Sequence, residues 1–122
     1  MVIHMYGIPN CDTVKKARAW LVKQGIEAIF HDYKKEGADP EQIAKWISVA
    51  GLNTVLNRRG TTFRSLSDTQ KRDAEDSHKA VALLVQNPSM LKRPIVEFPD
   101  GLLVGFKEDE WCATLLSSER QW

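Results

Sequence analysis

Residues 6–18 read Tyr-Gly-Ile-Pro-Asn-Cys-Asp-Thr-Val-Lys-Lys-Ala-Arg, and the architecture of the chain is decided in this stretch. The apolar run at 2–6 that leads into it predicts a short buried strand. Residues 10–23 predict a helix, because Asn10 is a suitable N-cap and apolar residues recur on one helical face. Cys11 is thereby placed just after a strand, in the loop that opens the helix.

The residues after this helix predict a second strand. Gly25 is suited to end the helix in the left-handed conformation, and residues 27–33 form a mostly apolar run. A strand–helix–strand unit is connected by a right-handed crossover, which would set the two strands parallel.

The middle of the chain predicts a helical insert at about 38–90. Asp39 is a good N-cap for a helix that begins with a proline and ends at Gly51. Residues 52–76 are polar and basic and predict only short helical fragments, whereas residues 77–86 predict a further helix.

The end of the chain predicts a β-hairpin and a last helix. Residues 93–98 and 102–106 flank a Pro-Asp-Gly turn, and a helix begins near Lys107 with acidic residues in its first turn. The predicted fold class is therefore α/β, with the order βαβ, a helical insert and ββα around a mixed sheet. We predict one domain that spans residues 1–122, since no repeat or linker divides the chain.

Composition restricts the class of partner and the compartment. Seventeen basic and sixteen acidic residues leave a formal charge of +1, which gives no reason to expect nucleic acid or a membrane as partner. No run is apolar enough for a membrane span, and the N-terminus lacks the features of a secretory signal. We expect a cytoplasmic monomer, in which the two distant cysteines favour a reactive thiol over a structural disulfide.

Cys11 is the predicted nucleophile. Only the thiolate of cysteine is strongly nucleophilic, and the N–H groups at a helix start favour negative charge. Lys15 and Lys16 are expected to help and Asp12 to oppose, so we expect a lowered pKa for Cys11. The alternative is that Cys11 is a small core residue.

The second thiol of a CxxC pair is missing, because Val14 occupies that position. A single thiol cannot resolve its own mixed disulfide, so a second thiol must come from elsewhere. Glutathione is the abundant candidate and is expected as co-substrate. Cys112 is expected to be inert and partly buried within the last helix.

Basic residues supply candidate anion ligands, and no metal site is expected. Arg58, Arg59, Arg64 and Lys92, each taken alone, are interpreted as solvated surface charges. Arg93 is the exception, because it precedes a proline where a cis peptide bond would place backbone beside the active loop. The histidines show no spacing typical of zinc ligands; His4 and His31 are placed in strands and His78 at a helix start.

Five short patterns occur together: Tyr-Gly-Ile-Pro-Asn-Cys-Asp-Thr at 6–13, Phe-His-Asp-Tyr at 30–33, Asn-Arg-Arg-Gly-Thr-Thr-Phe-Arg at 57–64, Lys-Arg-Pro-Ile at 92–95 and Val-Gly-Phe at 104–106. In combination they closely resemble the arsenate reductase-like family (ArsC/Spx/MgsR), and its YffB subgroup in particular, over nearly the whole chain. The resemblance implies a thioredoxin-like fold with a helical insert and a cis-proline. It also implies that the catalytic residue is Cys11 and that the residues binding glutathione are Asn10, Arg59, Arg93 and Pro94.

Two departures from the family pattern narrow the expected function. Gly7 stands where the reductases carry a histidine, and Phe106 stands where a third arginine is expected on the second hairpin strand. Because arsenate transfer needs that cationic surround, arsenate reduction is not expected. Spx-type regulators use a CxxC pair that this chain lacks. The prediction is a glutathione-dependent thiol reductase, with arsenate reductase-like activity or a non-catalytic Spx-like protein-binding regulator as alternatives.

Overall fold

The computed structural model describes residues 3–99 and 101–116. Along these residues the elements follow in this order: β1 (Ile3–Gly7), α1 (Asp12–Lys23), β2 (Ala28–Asp32), α2 (Tyr33–Glu36), α3 (Pro40–Ala50), α4 (Leu52–Val55), α5 (Thr61–Arg64), α6 (Asp68–Asp73), α7 (Ser77–Gln86), a 3-10 turn (Pro88–Met90), β3 (Ile95–Phe98), β4 (Gly101–Val104) and α8 (Glu108–Leu115).

The chain divides into two compact units. Residues 1–31 and 93–122 make up the first, here called the sheet unit, and residues 32–92 make up the second, the helical unit. The helical unit contains the predicted insert at about 38–90. That residues 1–122 act as a single domain stays a prediction.

The strands form one mixed sheet in the order β2-β1-β3-β4. β1 and β3 pair antiparallel with Tyr6 opposite Ile95, and β3 and β4 pair antiparallel with Ile95 opposite Val104. The predicted α/β class and the predicted hairpin are therefore confirmed. No helix among the described residues is long and apolar enough to cross a bilayer.

The core of the sheet unit lies where α1 and α8 pack against one face of the sheet. Side chains alternate along a strand, so Ile3 and Met5 point into this core from β1. The buried stripe of α1 has helical spacing and includes Val14 and Leu21, while α8 contributes Trp111. Because β1 and α1 are both anchored in this way, the loop between them, which carries Cys11, has a defined position.

The strand boundaries differ slightly from those predicted, for local reasons. β2 ends at Asp32 because the Asp32 carboxylate accepts hydrogen bonds from the Lys34 and Lys35 N–H groups, at 3.0 and 3.2 Å, and caps α2. β4 ends at Val104, since Gly105 adopts a positive φ of 76° that a strand cannot continue. The predicted start of the first strand at residue 2 and part of the predicted turn at 99–101 lie outside the described residues.

The helical unit follows the predicted pattern closely. α3 covers residues 40–50 and is capped by Asp39, whose carboxylate accepts the Glu41 N–H at 3.0 Å. α7 covers residues 77–86 as predicted, and the polar segment at 52–76 contains only the short helices α4, α5 and α6. Caps and apolar periodicity are local features, which explains why the sequence predicted these boundaries well.

Candidate active site at Cys11

Cys11 is itself the N-cap of α1. Its backbone is extended, with φ −139° and ψ 125°, and its carbonyl oxygen accepts the Lys15 N–H at 2.9 Å. The prediction that Asn10 caps this helix is wrong, because the helix begins one residue later and Asn10 is exposed ahead of the cap. The sulfur of Cys11 therefore occupies the position where a capping side chain would normally sit.

The side chain of Cys11 is half-buried and packs against the core of the sheet unit. It makes no full capping hydrogen bond, but the N–H groups of Thr13 and Val14, in the first turn of α1, interact with the sulfur. The first N–H groups of a helix have no partner within the helix, so an anion beside them is favoured. The cap position therefore stabilises a thiolate.

The pKa of Cys11 reflects opposing influences whose net direction is downward. Burial raises the pKa, because it disfavours the charged form. The backbone N–H groups of Val14 and Thr13 lower the pKa, and the Arg93 guanidinium lowers it further through its charge and a hydrogen bond to the sulfur. The expected lowering is confirmed, although the contributing cation is Arg93 and neither Lys15 nor Lys16.

Arg93 reaches the sulfur from the start of the hairpin. The Arg93–Pro94 peptide bond is cis, as predicted, and Pro94 is buried. The Pro94 carbonyl accepts the Gly105 N–H at 2.8 Å, and the Gly105 carbonyl accepts the Trp111 indole N–H at 3.0 Å. These two hydrogen bonds connect the backbone beside Arg93 to α8, so the Arg93 side chain starts from a defined position.

The lowered pKa leads to a testable pH dependence. In a Cys112→Ser protein, the rate of alkylation of Cys11 by iodoacetamide should level off at lower pH than in the same chain unfolded in urea, where a thiol titrates near about 8.5. A thiol whose folded pKa is depressed also adds stability above its unfolded pKa, and this stability is lost as pH falls through the folded pKa. Identical pH profiles for folded and unfolded protein would contradict thiolate stabilisation.

The absence of a histidine at position 7 has a steric explanation. A Cβ atom added at Gly7 would lie 3.0 Å from a methyl carbon of Val14 and 3.7 Å from the ring of Phe30. Val14 is the residue that replaces the second cysteine of a CxxC pair, and it is fully buried. The glycine and the valine are therefore matched to each other, and a side chain at position 7 would require Val14 to shift.

Phe106 is half-buried against the core of the sheet unit and does not belong to a strand. It lies two residues beyond the end of β4, so its predicted place on the second hairpin strand is wrong. Its ring packs edge-on against Trp111, with centroids 4.8 Å apart, and is tilted against Trp20 at 6.2 Å. In this chain the position expected to hold a third arginine is therefore used for aromatic packing.

Cys112 also differs from its prediction. It lies on α8 as expected, but its side chain is exposed and not partly buried. The buried stripe of α8 is formed by Trp111 and Leu115. Cys112 directly follows Trp111, and helical geometry turns it outward. Both cysteines are free thiols in the structure.

The predicted binding residues fall into two groups. Arg93 and Pro94 lie with Cys11 in the sheet unit, and Asn10 directly precedes Cys11 in the chain. Arg59 is an exposed residue of the helical unit, and its N–H donates to the Asn57 carboxamide oxygen at 3.0 Å. The roles of Asn10, Arg59, Arg93 and Pro94 in binding glutathione stay predictions.

A polar cluster on the other face of the sheet was not predicted. Nδ1 of His4 and Nε2 of His31 are 2.9 Å apart, and the Tyr6 ring stacks on His31 with centroids separated by 4.6 Å. The Tyr6 hydroxyl donates to Glu97 at 3.0 Å. The alternation of β1 places His4 and Tyr6 on one face, but pairing across strands was needed to reveal the cluster.

Within the described residues, no group of three or more His, Cys, Asp or Glu side chains is arranged to hold a metal ion.

Comparison with known proteins assigns this fold and site to a family. The model of the ArsC family matches residues 6–114. A solved structure of the "YFFB" protein is 49% identical, covers 93% of this chain and 98% of its own, and superposes with a TM-score of 0.88. The structure of an arsenate reductase (ArsC) related protein from Brucella melitensis is 44% identical, covers 94% and 95% of the two chains, and has a TM-score of 0.74.

A curated relative points to a second branch of the same family. The global transcriptional regulator Spx of Streptococcus pyogenes is 28% identical over 123 residues, which covers 98% of this chain and 90% of the regulator. The chain has a thioredoxin-like fold and belongs to the ArsC family. The family includes relatives of both the arsenate reductase and the Spx type.

Proposed function

We propose that this protein is a cytoplasmic, glutathione-dependent thiol reductase that uses Cys11 as its single catalytic cysteine. The observation that carries the proposal is the stabilised thiolate of Cys11, which is held by backbone N–H groups and Arg93 and has Val14 in place of a resolving cysteine. A thiolate of this kind is a good nucleophile towards disulfide sulfur and depends on an external thiol for its release.

The reaction is a pair of thiol–disulfide exchanges. The Cys11 thiolate attacks the glutathione sulfur of a mixed disulfide, forms a Cys11–glutathione disulfide and releases the substrate thiolate. The thiolate of a second glutathione then attacks the glutathione sulfur of that disulfide, which regenerates the Cys11 thiolate and releases oxidised glutathione. Asn10, Arg59, Arg93 and Pro94 are proposed to bind the tripeptide, and the arginines are proposed to hold a carboxylate.

The proposed intermediate can be detected directly. Oxidised glutathione should produce one protein–glutathione mixed disulfide at Cys11, visible as a single adduct by intact mass and removed by reduced glutathione. The Cys112→Ser protein should form the same adduct, since Cys112 has no part in the mechanism. An internal disulfide between Cys11 and Cys112 would instead make this a two-cysteine enzyme and would refute the single-cysteine mechanism.

Substitutions of Arg93 should reduce the use of glutathione in steps, and these steps separate the contribution of its charge from that of its planar geometry. Lysine keeps the charge but loses the planar fork of arginine, and alanine loses both. Charge-assisted hydrogen bonds contribute about 1.5–3 kcal/mol, so Arg93→Ala should reduce kcat/KM for glutathione by roughly tenfold or more, with Arg93→Lys between it and the native protein. The alkylation rate of Cys11 should fall less, because the N–H groups of Thr13 and Val14 remain.

Two controls make the Arg93 series decisive. Urea unfolding should give similar free energies for all three proteins, since a half-buried charge close to solvent contributes little to stability. Arg64→Ala removes an exposed arginine from the helical unit and should leave glutathione kinetics unchanged. If Arg93→Ala unfolds the protein, Arg93 has a structural role. If the substitution leaves the glutathione kinetics unchanged, Arg93 does not bind glutathione.

The alternatives come from the two branches of the family. A non-catalytic regulator would keep the fold and bind a protein partner, as the similarity to Spx suggests, but would show no turnover with glutathione and a mixed disulfide. An arsenate reductase would turn over arsenate with glutathione. We expect no significant arsenate reduction, because Gly7 and Phe106 remove two of the polar groups that would surround the oxyanion.

A further inference from the structure

A polar pocket in the helical unit does not include Cys11 and shares only Arg59 with the residues proposed to bind glutathione. It has a volume of about 310 Å³ and lies beside α4, the segment at 56–60 and the end of the helical unit. Its lining consists of Asn53, Leu56, Asn57, Arg58, Arg59 and Lys92. We call it the insert pocket.

The charge of the insert pocket has one sign. Arg58, Arg59 and Lys92 line it, and no acidic side chain does. Within residues 3–99 and 101–116, no carboxylate forms an ion pair with any of these three residues. Three positive charges around a small concave surface repel one another and produce a positive potential there, which attracts an anion.

Two side-chain hydrogen bonds of the lining use carboxamide oxygens as acceptors. The Asn53 carboxamide oxygen accepts the Arg58 guanidinium N–H at 2.7 Å, and the Asn57 carboxamide oxygen accepts the Arg59 backbone N–H at 3.0 Å. The NH₂ groups of both carboxamides add donors to those of the guanidinium and ammonium groups. A lining with three cations and no carboxylate suits oxyanions and does not suit cations.

The backbone around the insert pocket is held in place. The Asn57 N–H donates to the Met90 carbonyl at 2.8 Å, and the Lys92 N–H donates to the Val55 carbonyl at 2.9 Å. Leu56, which is buried, forms an isolated bridge with Leu91 between these two bonds. The Lys92 ammonium also donates to the Asn53 carbonyl at 3.3 Å. The cations therefore project from a fixed frame, which reduces the entropy lost when a ligand binds.

We propose that the insert pocket is a binding site for a small polyanion, a molecule with two or more phosphate or carboxylate groups. Its volume matches the smallest ligand sites of proteins, of about 300 Å³, and exceeds what a single oxyanion needs. Arg58 and Lys92 are the principal ligands, and Arg59 assists. The inference goes beyond the thiol reductase function, because binding here requires no reaction at Cys11.

The test is calorimetric titration of the reduced native protein in metal-free buffer at 100 mM KCl. Pyrophosphate represents phosphate ligands, citrate represents carboxylate ligands and S-methylglutathione represents a peptide dicarboxylate that cannot exchange disulfides. Saturable one-site binding of at least one of these probes is expected, and the tightest of them identifies the chemistry of the acidic groups. Failure of all three to bind would overturn the proposal, whereas the exchange chemistry of Cys11 is tested separately by the mixed-disulfide adduct and by turnover.

Matched variants locate the site. Arg58→Gln and Lys92→Gln should each weaken the tightest probe by about tenfold or more, the loss expected for one charge-assisted hydrogen bond. Arg64→Gln makes the same change of charge at an exposed residue of α5 outside the lining and should leave the affinity unchanged. An equal loss in all three proteins would mean that only diffuse charge attracts the anion, which would overturn the proposal.

A measurement on the native protein keeps the proposal falsifiable if a variant fails to fold. In amide NMR spectra, the tightest probe should shift the signals of Asn57, Arg58 and Arg59 in a saturable manner. Saturable shifts confined to Thr13 and Val14 would place the anion at the start of α1 and would refute a site in the insert pocket.

Discussion

The Cys11→Ser protein is expected to lose glutathione-coupled turnover of a mixed disulfide by at least about a thousandfold, as removal of a covalent nucleophile usually does. A serine hydroxyl cannot form a disulfide, so neither exchange step is possible. The substitution is otherwise mild, because serine is a preferred N-cap and Cys11 occupies the N-cap of α1. The fold should therefore be kept or slightly stabilised.

The experiment uses the mixed disulfide of glutathione and 2-mercaptoethanol, with turnover measured as oxidised glutathione formed. Cys112→Ser is the matched control, since it makes the same atomic change at an exposed cysteine of α8 and should retain full activity. If the native protein shows no turnover at all, a non-catalytic binding protein becomes the better description. If activity follows Cys112 instead, the assignment of the nucleophile is wrong.

Of the substitutions proposed for this protein, Trp111→Ala is expected to cause the largest loss of stability, about 3–5 kcal/mol in the free energy of unfolding. The side chain is fully buried in the core of the sheet unit and meets the rings of Trp20 and Phe106 edge-on, at 5.9 and 4.8 Å between centroids. Alanine would leave a large cavity and would remove the hydrogen bond to the Gly105 carbonyl. Urea unfolding followed by far-ultraviolet circular dichroism measures the loss without relying on tryptophan fluorescence.

Two comparisons test the reason for this loss. Trp111→Phe keeps most of the aromatic packing but loses the indole donor, so a smaller cost of about 1–3 kcal/mol is expected. Val22→Ala truncates a side chain that is 79% exposed on α1 and should change stability by less than about 0.5 kcal/mol. A loss for Trp111→Ala no greater than that for Val22→Ala would show that the core does not depend on this residue.

Much of the fold could be predicted from the sequence, because the relevant signals are local. Asp39, the following proline and Gly51 mark the ends of α3, and the apolar spacing within α1 and α7 identifies their buried faces. The hairpin followed from two apolar runs around a turn. Errors were confined to boundaries, where a single hydrogen bond or backbone angle decides the last residue, as at Asp32 and Gly105.

The candidate site was predicted only in part. The strand-to-helix position of Cys11 could be predicted, since it depends on neighbouring residues alone. Arg93 was singled out as an anion ligand beside the active loop, but the effect of a cation on the thiol pKa was expected from Lys15 and Lys16. Both lysines are closer in sequence, yet they point outward from α1. The exposure of Cys112 was also predicted wrongly, because one residue of rotation on a helix exchanges the buried and solvent faces.

The sequence by itself determined the α/β class, the order of the elements, the missing second cysteine and the thiol at a helix start. Each of these depends on residues within a turn or two of one another. Only the tertiary structure decided that Arg93, and neither Lys15 nor Lys16, lowers the pKa of the thiol, that Phe106 packs against the core and that Arg58 and Lys92 line one pocket. These contacts join residues distant in the chain, and their positions depend on strand pairing and core packing that no local pattern encodes.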